Sequence, residues 1–316
     1  MPTIVALGEA LVEIMRRDRD VPLDDPGLFV GPFPSGAPAI FADAAARLGA
    51  SAGFAGTIGD DPFGDCIQHR LCADGVDCTA LVRDPAHLTG IAFVSYRADG
   101  SRSFVFHLAD SAAARLSVEQ VPSRWLKDIR YLHITGSSLS SGGGMREACY
   151  ALAHQVANAG GTVSLDPNLR PELMPLEEIR AVCEPVLARA RIVFPSGEEL
   201  AMLTGKGSVP EAARDLLDRG VQTIALKQGE QGSTILTHAG ALAIAPYAVD
   251  EVDPTGAGDC YDAAFLVGLS EGWSLDKAAR FANAAGALAT TQLGPMEGAA
   301  TRDQVLEFML EAGRPL

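Results

Sequence analysis

The sequence predicts a three-layer α/β/α fold, a mainly parallel central sheet covered by helices on both faces, with a small second β-sheet. Three observations carry this. Short strand-type runs alternate with helical ones, the last third of the chain turns helical, and one hairpin-like stretch breaks the alternation.

The alternating runs are, in order, TIVALG (3–8), AIFADAAARLG (39–49), AGFAGTIG (52–59), YLHITG (131–136), TVSLD (162–166), RIVFPS (191–196) and TIALKQG (223–229). That order reads as repeated βα units around a buried parallel sheet. Apolar periodicity over 258–271, 275–292 and 302–313 predicts three helices, the first opening directly behind a Gly-rich turn. The exception is TGIAFVSYRADGSRSFVFHL (89–108), two alternating runs joined by Asp99-Gly100, a two-residue hairpin signal. A second irregular stretch with strand-like ends, 12–33, follows the first strand. Together, over about 12–34 and 89–110, they form a candidate lid standing off the body; an ordinary edge hairpin is the alternative. With no repeat or low-complexity linker, residues 1–316 read as one domain.

Composition narrows the partners. The hydrophobic fraction of 47% supports a large core, and a formal net charge of -15 argues against a sequence-blind grip on nucleic acid. A polyanion such as a nucleotide would have to be held locally, by backbone N–H groups and a metal ion. The six cysteines form no CxxC pair, no zinc spacing appears, and no run approaches the about 18 apolar residues of a membrane span. A soluble, cytoplasmic protein with reduced thiols is the expectation.

The strongest local signal is Val252-Asp253-Pro254-Thr255-Gly256-Ala257-Gly258-Asp259 ahead of the helical run CYDAAFLVGL. Two glycines allow a tight turn whose N–H groups point outward, and the following helix adds its positive end, an anion hole suited to a γ-phosphate. An aspartate there can accept the proton of an attacking hydroxyl. Read alone, Asp259 could equally be a helix cap.

DPTGAGD resembles the C-terminal signature of the ribokinase (PfkB) family of carbohydrate kinases, and other segments fall in that family's order along nearly the whole chain. SGAPAIFADAAARLG (35–49) and GTIGDDPFG (56–64) are similar to its N-terminal signature, SLDPNLR (164–170) to the substrate-side strand end, PSGEE (195–199) to the metal-associated NxxE, KQGEQG (227–232) to the nucleotide-side KxGxxG, and FANAAGA (281–287) to the helix beside adenine. The resemblance implies a ribokinase-like fold, ATP and Mg2+; edge strands of a small lid are prone to pair with a partner, so a homodimer through the lid is expected. It also implies that Asp259 is the catalytic base and that Gly256, Ala257 and Gly258 form the anion hole. Ser196, Lys227, Gly229, Gly232, Thr255 and Asn283 match nucleotide-side positions, and Glu199 would organise Mg2+ through water. Glu13, Gly36, Phe106, Asn168 and Arg170 fall on the sugar side; Arg170 could instead be structural, paired with a neighbouring acid. A potassium site near Asp253, Thr255 and Gly294 is left open.

Departures bear on the substrate. Ile40 stands where the family usually has Asn, removing one donor and one acceptor from the sugar pocket. Ketodeoxygluconate kinases tend to carry an Arg on the returning lid strand; Phe104-Val105-Phe106-His107-Leu108 has none, although Arg97 or Arg102 could compensate. GPFPSGAPAIF (31–41), SLDPNLR, VFPSGEEL (193–200) and LGPMEGA (293–299) are together similar to bacterial tagatose kinases, implying phosphorylation of the 6-hydroxyl of D-tagatose. Fructokinase and 2-keto-3-deoxygluconate kinase are the near alternatives. A nucleoside kinase, a catalytically silent sugar-binding regulator and a Rossmann dehydrogenase are the others; the last is disfavoured because GEALVE, not GxGxxG, follows the first strand. Ser137, Ser138, Ser140 and Ser141 form no GxSxG elbow and read as a loop ahead of a helix, and His107 is the one histidine a lid strand could aim at substrate.

Overall fold

A computed structural model describes residues 1–98 and 101–316, so the Asp99-Gly100 turn expected in the hairpin lies outside the described residues. Strands β1 (Ile4–Leu7), β4 (Ala52–Gly59), β5 (Asp77–Asp84), β8 (Tyr131–Thr135), β9 (Thr162–Asp166), β10 (Ala190–Val193), β11 (Thr223–Lys227), β12 (Ser233–Thr237) and β13 (Gly240–Ile244) build the large sheet, in the order β13-β12-β11-β10-β9-β8-β1-β4-β5. From β11 to β5 every pairing is parallel, and β12 and β13 add an antiparallel edge.

Strand alternation sorts the core onto two faces. Ile4 and Ala6 of β1 join one cluster with Phe41, Phe265 and Phe281, whereas Val5 and Leu7 join the other with Leu132, Leu152 and Val193. Helices α1 (Ala37–Arg47), α2 (Pro62–Ala73), α8 (Ala257–Ser270), α9 (Leu275–Ala289) and α10 (Arg302–Glu311) belong with the first face; α4 (Gly143–Asn158), α5 (Leu176–Leu187), α6 (Glu199–Thr204) and α7 (Val209–Asp218) belong with the second. The expected three layers are present.

The second sheet pairs β2 (Leu11–Arg16), β3 (Phe29–Ser35), β6 (Gly90–Tyr96) and β7 (Arg102–His107) in the order β3-β2-β6-β7. It is mixed, because β2 and β6 run parallel between two antiparallel pairs. Strands β5, β12 and β13 were not among the runs expected from sequence. The serine run is also not a loop: Gly136–Ser140 forms a short helix, α3, capped by Thr135, whose Oγ1 accepts from the Ser138 N–H. Among the described residues no helix is long and apolar enough to cross a membrane.

Candidate active site

The parallel strands end together. Glu9 follows β1, Thr135 ends β8, Asp166 ends β9 and Lys227 ends β11, so their side chains gather at the carboxyl edge of the sheet, where open α/β sheets bind ligands. Helix α8 points its N-terminus at the same edge.

The turn before α8 is built around Gly256, at φ +82°, where an added Cβ would lie 2.2 Å from the Pro295 carbonyl oxygen and 3.2 Å from Ile40 Cγ2. Only glycine fits that backbone, and Ile40 therefore packs against the turn. The helix begins at Ala257, with Gly256 as its N-cap and no side-chain cap. Asp259 sits inside the first turn and does not cap it; Oδ1 is buried without a partner. Burial, reinforced by Asp166 and opposed by Lys227 and Arg170, pushes its carboxyl up to about 8. The first-turn N–H groups have no acceptor within the helix, and the Ala257 N–H makes only a long 3.4 Å bond to the Pro254 carbonyl, so this end can receive an anion beside a carboxylate able to take a proton.

Two more buried acceptors lack partners, Glu13 Oε2 and Asn168 Oδ1. Glu13, on β2, accepts 2.6 Å from Ser35 Oγ through its other oxygen, and burial pushes it up to about 7. Asn168 holds φ 36°, with its N–H donating to Asp166 Oδ1. Gly36 has φ +106°, and a Cβ there would stand 2.5 Å from the Glu9 carbonyl oxygen. Arg170 donates only to the Leu169 carbonyl; among the described residues it makes no ion pair, contrary to the structural reading, and its charge acts on Glu9, Glu13 and Asp259 together.

The small sheet closes onto this edge. Tyr96 Oη donates 2.9 Å to Asp253 Oδ1 and also meets Thr255 Oγ1 at 2.9 Å, while Arg102 Nη1 donates 3.2 Å to Thr255 Oγ1. Arg102, Phe104 and Phe106 alternate on that face of β7, the two rings stacked at 5.3 Å. His107 falls on the opposite face, edge-on to Phe93, so it does not face the site as expected. Asp253 also accepts from the N–H groups of Thr255 and Gly294, which leaves this loop held by protein donors.

Several nucleotide-side expectations take a different form. The Lys227 ammonium is buried, 2.9 Å from Asp166 Oδ2 and 3.0 Å from Asp262 Oδ1, rather than open to a ligand. Asn283 Nδ2 donates to the carbonyls of Ile244 and Ala245, tying α9 to the end of β13. Gly229 (φ +55°) and Gly232 (φ +85°) shape the turn between β11 and β12. Glu199 accepts from Leu169 N–H at 2.9 Å and Ser196 N–H at 2.8 Å, one bond on each oxygen, so each keeps acceptor capacity for a metal-bound water. Among the described residues no three acidic, His or Cys side chains converge as a metal cage.

Sequence reasoning missed Glu9, whose carboxylate takes the hydroxyls of Ser137 and Ser138. It also missed Tyr96 and Asp262. An available signal for Asp262 was a lone acid at i+3 from Asp259 in an otherwise apolar helix.

The sequence model of the pfkB family of carbohydrate kinases matches residues 1–302. A fructokinase of Vibrio alginolyticus is 33% identical over 316 residues, covering 98% of this chain and 99% of that protein. Fructokinase-1 of Oryza sativa subsp. japonica is 35% identical over 322 residues, covering 98% of both. An E. coli protein provisionally named ribokinase II, solved with ATP and Mg2+, has a TM-score of 0.92 at 38% identity, covering 98% of this chain and 100% of that one. A double mutant of Vibrio cholerae fructokinase, solved with fructose, ADP and potassium ion, has a TM-score of 0.84 at 31% identity, covering 97% of this chain and 98% of that one. The match across the family's length, joined to the shared fold, shows that this chain belongs to the pfkB family of carbohydrate kinases.

Proposed function

We propose that the chain transfers the γ-phosphoryl of ATP to a primary hydroxyl of a ketohexose, with D-tagatose the best single candidate and D-fructose next. The observation that carries this is the unpartnered Asp259 carboxyl at the anion-ready start of α8. Asp259 takes the proton of the attacking hydroxyl while the N–H groups of Gly256, Ala257 and Gly258 donate to the charge that develops. Mg2+ accompanying ATP offsets the phosphate charge, and Glu199 would hold its water. The orphan oxygens of Glu13 and Asn168 need hydroxyl donors, which a polyol supplies. A potassium ion at the Asp253 loop would share its carboxylate with the donors already there.

One observation favours a second reading: Arg102 lies on the site face of the second sheet and could grip a carboxylate, as a 2-keto-3-deoxygluconate kinase would require. Coupled ADP release with D-tagatose, D-fructose, 2-keto-3-deoxygluconate, ribose and adenosine decides between them. Turnover highest on a ketohexose supports the first, preference for the sugar acid replaces it with the second, and no turnover on any leaves a silent binder.

The reading includes a lid made by the second sheet, a cytoplasmic setting in which the six free cysteines stay reduced, and a lid-to-lid homodimer across the exposed edge strands β3 and β7. The Tyr96 and Arg102 contacts to the Asp253–Thr255 loop hold that lid down. Tyr96→Phe removes one half-buried hydroxyl and is expected to raise the sugar KM and increase sugar-independent ATP hydrolysis severalfold, since a looser lid admits water as acceptor. Unchanged hydrolysis would show that Tyr96 does not govern closure.

A further inference from the structure

Helix α8 is buried on nearly every side, yet it carries two carboxylates one turn apart, Asp259 and Asp262. The proposed reaction uses only the first. Asp262 is fully buried, with its oxygens 3.0 and 3.2 Å from the Lys227 ammonium and Oδ2 3.9 Å from His133 Nε2. Asp166, ending β9, holds the same ammonium at 2.9 Å. On its remaining side the ammonium lies against the anion turn, since a Cβ at Gly258 would stand 3.3 Å from Nζ. A buried cation clamped by two acids adds little stability beyond what apolar side chains of equal volume would give. Its position directly beside the turn suggests a different use.

We infer that Lys227, fixed by Asp166 and Asp262, is a positioning residue whose ammonium sets the ionisation of Asp259 from behind the anion turn, rather than a contact for the nucleotide. This rests on Asp259 being the base. The charged groups that face Asp259 are Asp166 from β9, Lys227 from β11, Arg170 from the loop after β9, Glu9 after β1 and Asp262 one turn further along α8. Those that face Lys227 are Asp166, Asp262, Glu199 and His133. Two of the groups around Asp259 are cations, and Lys227 is the larger influence of the two. The two acids in turn push the ammonium's own proton affinity upward, so it stays charged throughout the working range.

The test is the pH profile of kcat/KM with saturating ATP, for wild type, Lys227→Met and Lys227→Arg, beside Asp259→Asn. Removing the ammonium makes Asp259 harder to ionise, so Lys227→Met should move the acidic limb upward by about one pH unit or more. At a fixed pH on that limb, one unit is a tenfold loss. Lys227→Arg keeps the charge and should restore the limb, with the KM for ATP little changed in both. A raised KM for ATP with an unmoved limb would restore Lys227 to the nucleotide and overturn the inference. Activity persisting in Asp259→Asn would sink the base assignment instead, so the two failures are separable. If Lys227→Met does not fold, lysine-selective NMR of the wild type decides: the Lys227 ammonium signal should shift as Asp259 titrates, and a signal blind to that step overturns the coupling.

Discussion

Asp259→Asn is expected to lower kcat by on the order of 10³-fold, the usual size of a lost general base. Folding should survive intact. The carboxyl has one buried oxygen without a partner, and its folded value near 8 stands far above the ordinary 3.8. A carboxyl raised in this way gives stability that is fully present below its ordinary value and is lost as pH rises through about 8. Asn keeps the shape and never ionises, so the variant should match wild type near pH 4 and gain on it as pH rises, read by thermal melts across that window. In the wild type, only ionised Asp259 can accept a proton. Its kcat/KM should climb about tenfold per pH unit on the acidic side and level off above about 8. A variant that keeps more than a tenth of wild-type turnover, or a wild-type profile flat from pH 6 to 9, would remove Asp259 from the chemistry.

The parts of this site visible in the sequence were those fixed by backbone need. Gly256 and Gly258 stand where a side chain would strike Pro295 or crowd Lys227, and such positions leave a glycine pattern that can be read directly. The strand ends were visible for a similar reason: a run such as TVSLD switches from apolar to acidic where the sheet stops. Tyr96 and Arg102 reach Asp253 and Thr255 across more than 150 positions of chain, and no local pattern announces such a meeting. Lys227 shows the opposite failure. Its motif was legible, but whether the ammonium points toward a ligand or toward Asp166 and Asp262 depends on two acids from other elements. Strands β12 and β13 are hard to see because β12, STILT, interrupts its apolar residues with hydroxyl ones, and β13, GALAI, is a short run that stays exposed at the sheet edge instead of being buried between layers. The serines of 137–141 read as loop because hydroxyl residues are poor helix formers; a buried carboxylate, Glu9, takes two of those hydroxyls and makes the short helix worthwhile.

Gly256→Ala should be severely damaging for the addition of a single methyl group. Two costs add. A left-handed backbone at φ +82° costs an alanine about 1–2 kcal/mol. The new Cβ would also stand 2.2 Å from the Pro295 carbonyl oxygen, an atom that cannot swing aside as a side-chain tip could. The Gly294–Ala299 loop is itself braced, because Arg70 donates to the Met296 carbonyl, Arg47 to the Ala299 carbonyl, and the Gly294 N–H to Asp253. The turn must therefore move instead of the loop. A total loss of at least about 2 kcal/mol is expected, with the midpoint of thermal unfolding lower by roughly 3 °C or more. If the N–H groups of this turn form the proposed anion hole, displacing them should reduce kcat by a further 10²-fold or so, beyond anything explained by the unfolded fraction. Gly272→Ala separates the two costs, since it has φ +78° with nothing within 4 Å of the added carbon. It should show the backbone strain alone, with kcat per folded molecule at the wild-type level. If Gly256→Ala behaves like Gly272→Ala in both measurements, the turn is a connector and the anion hole lies elsewhere.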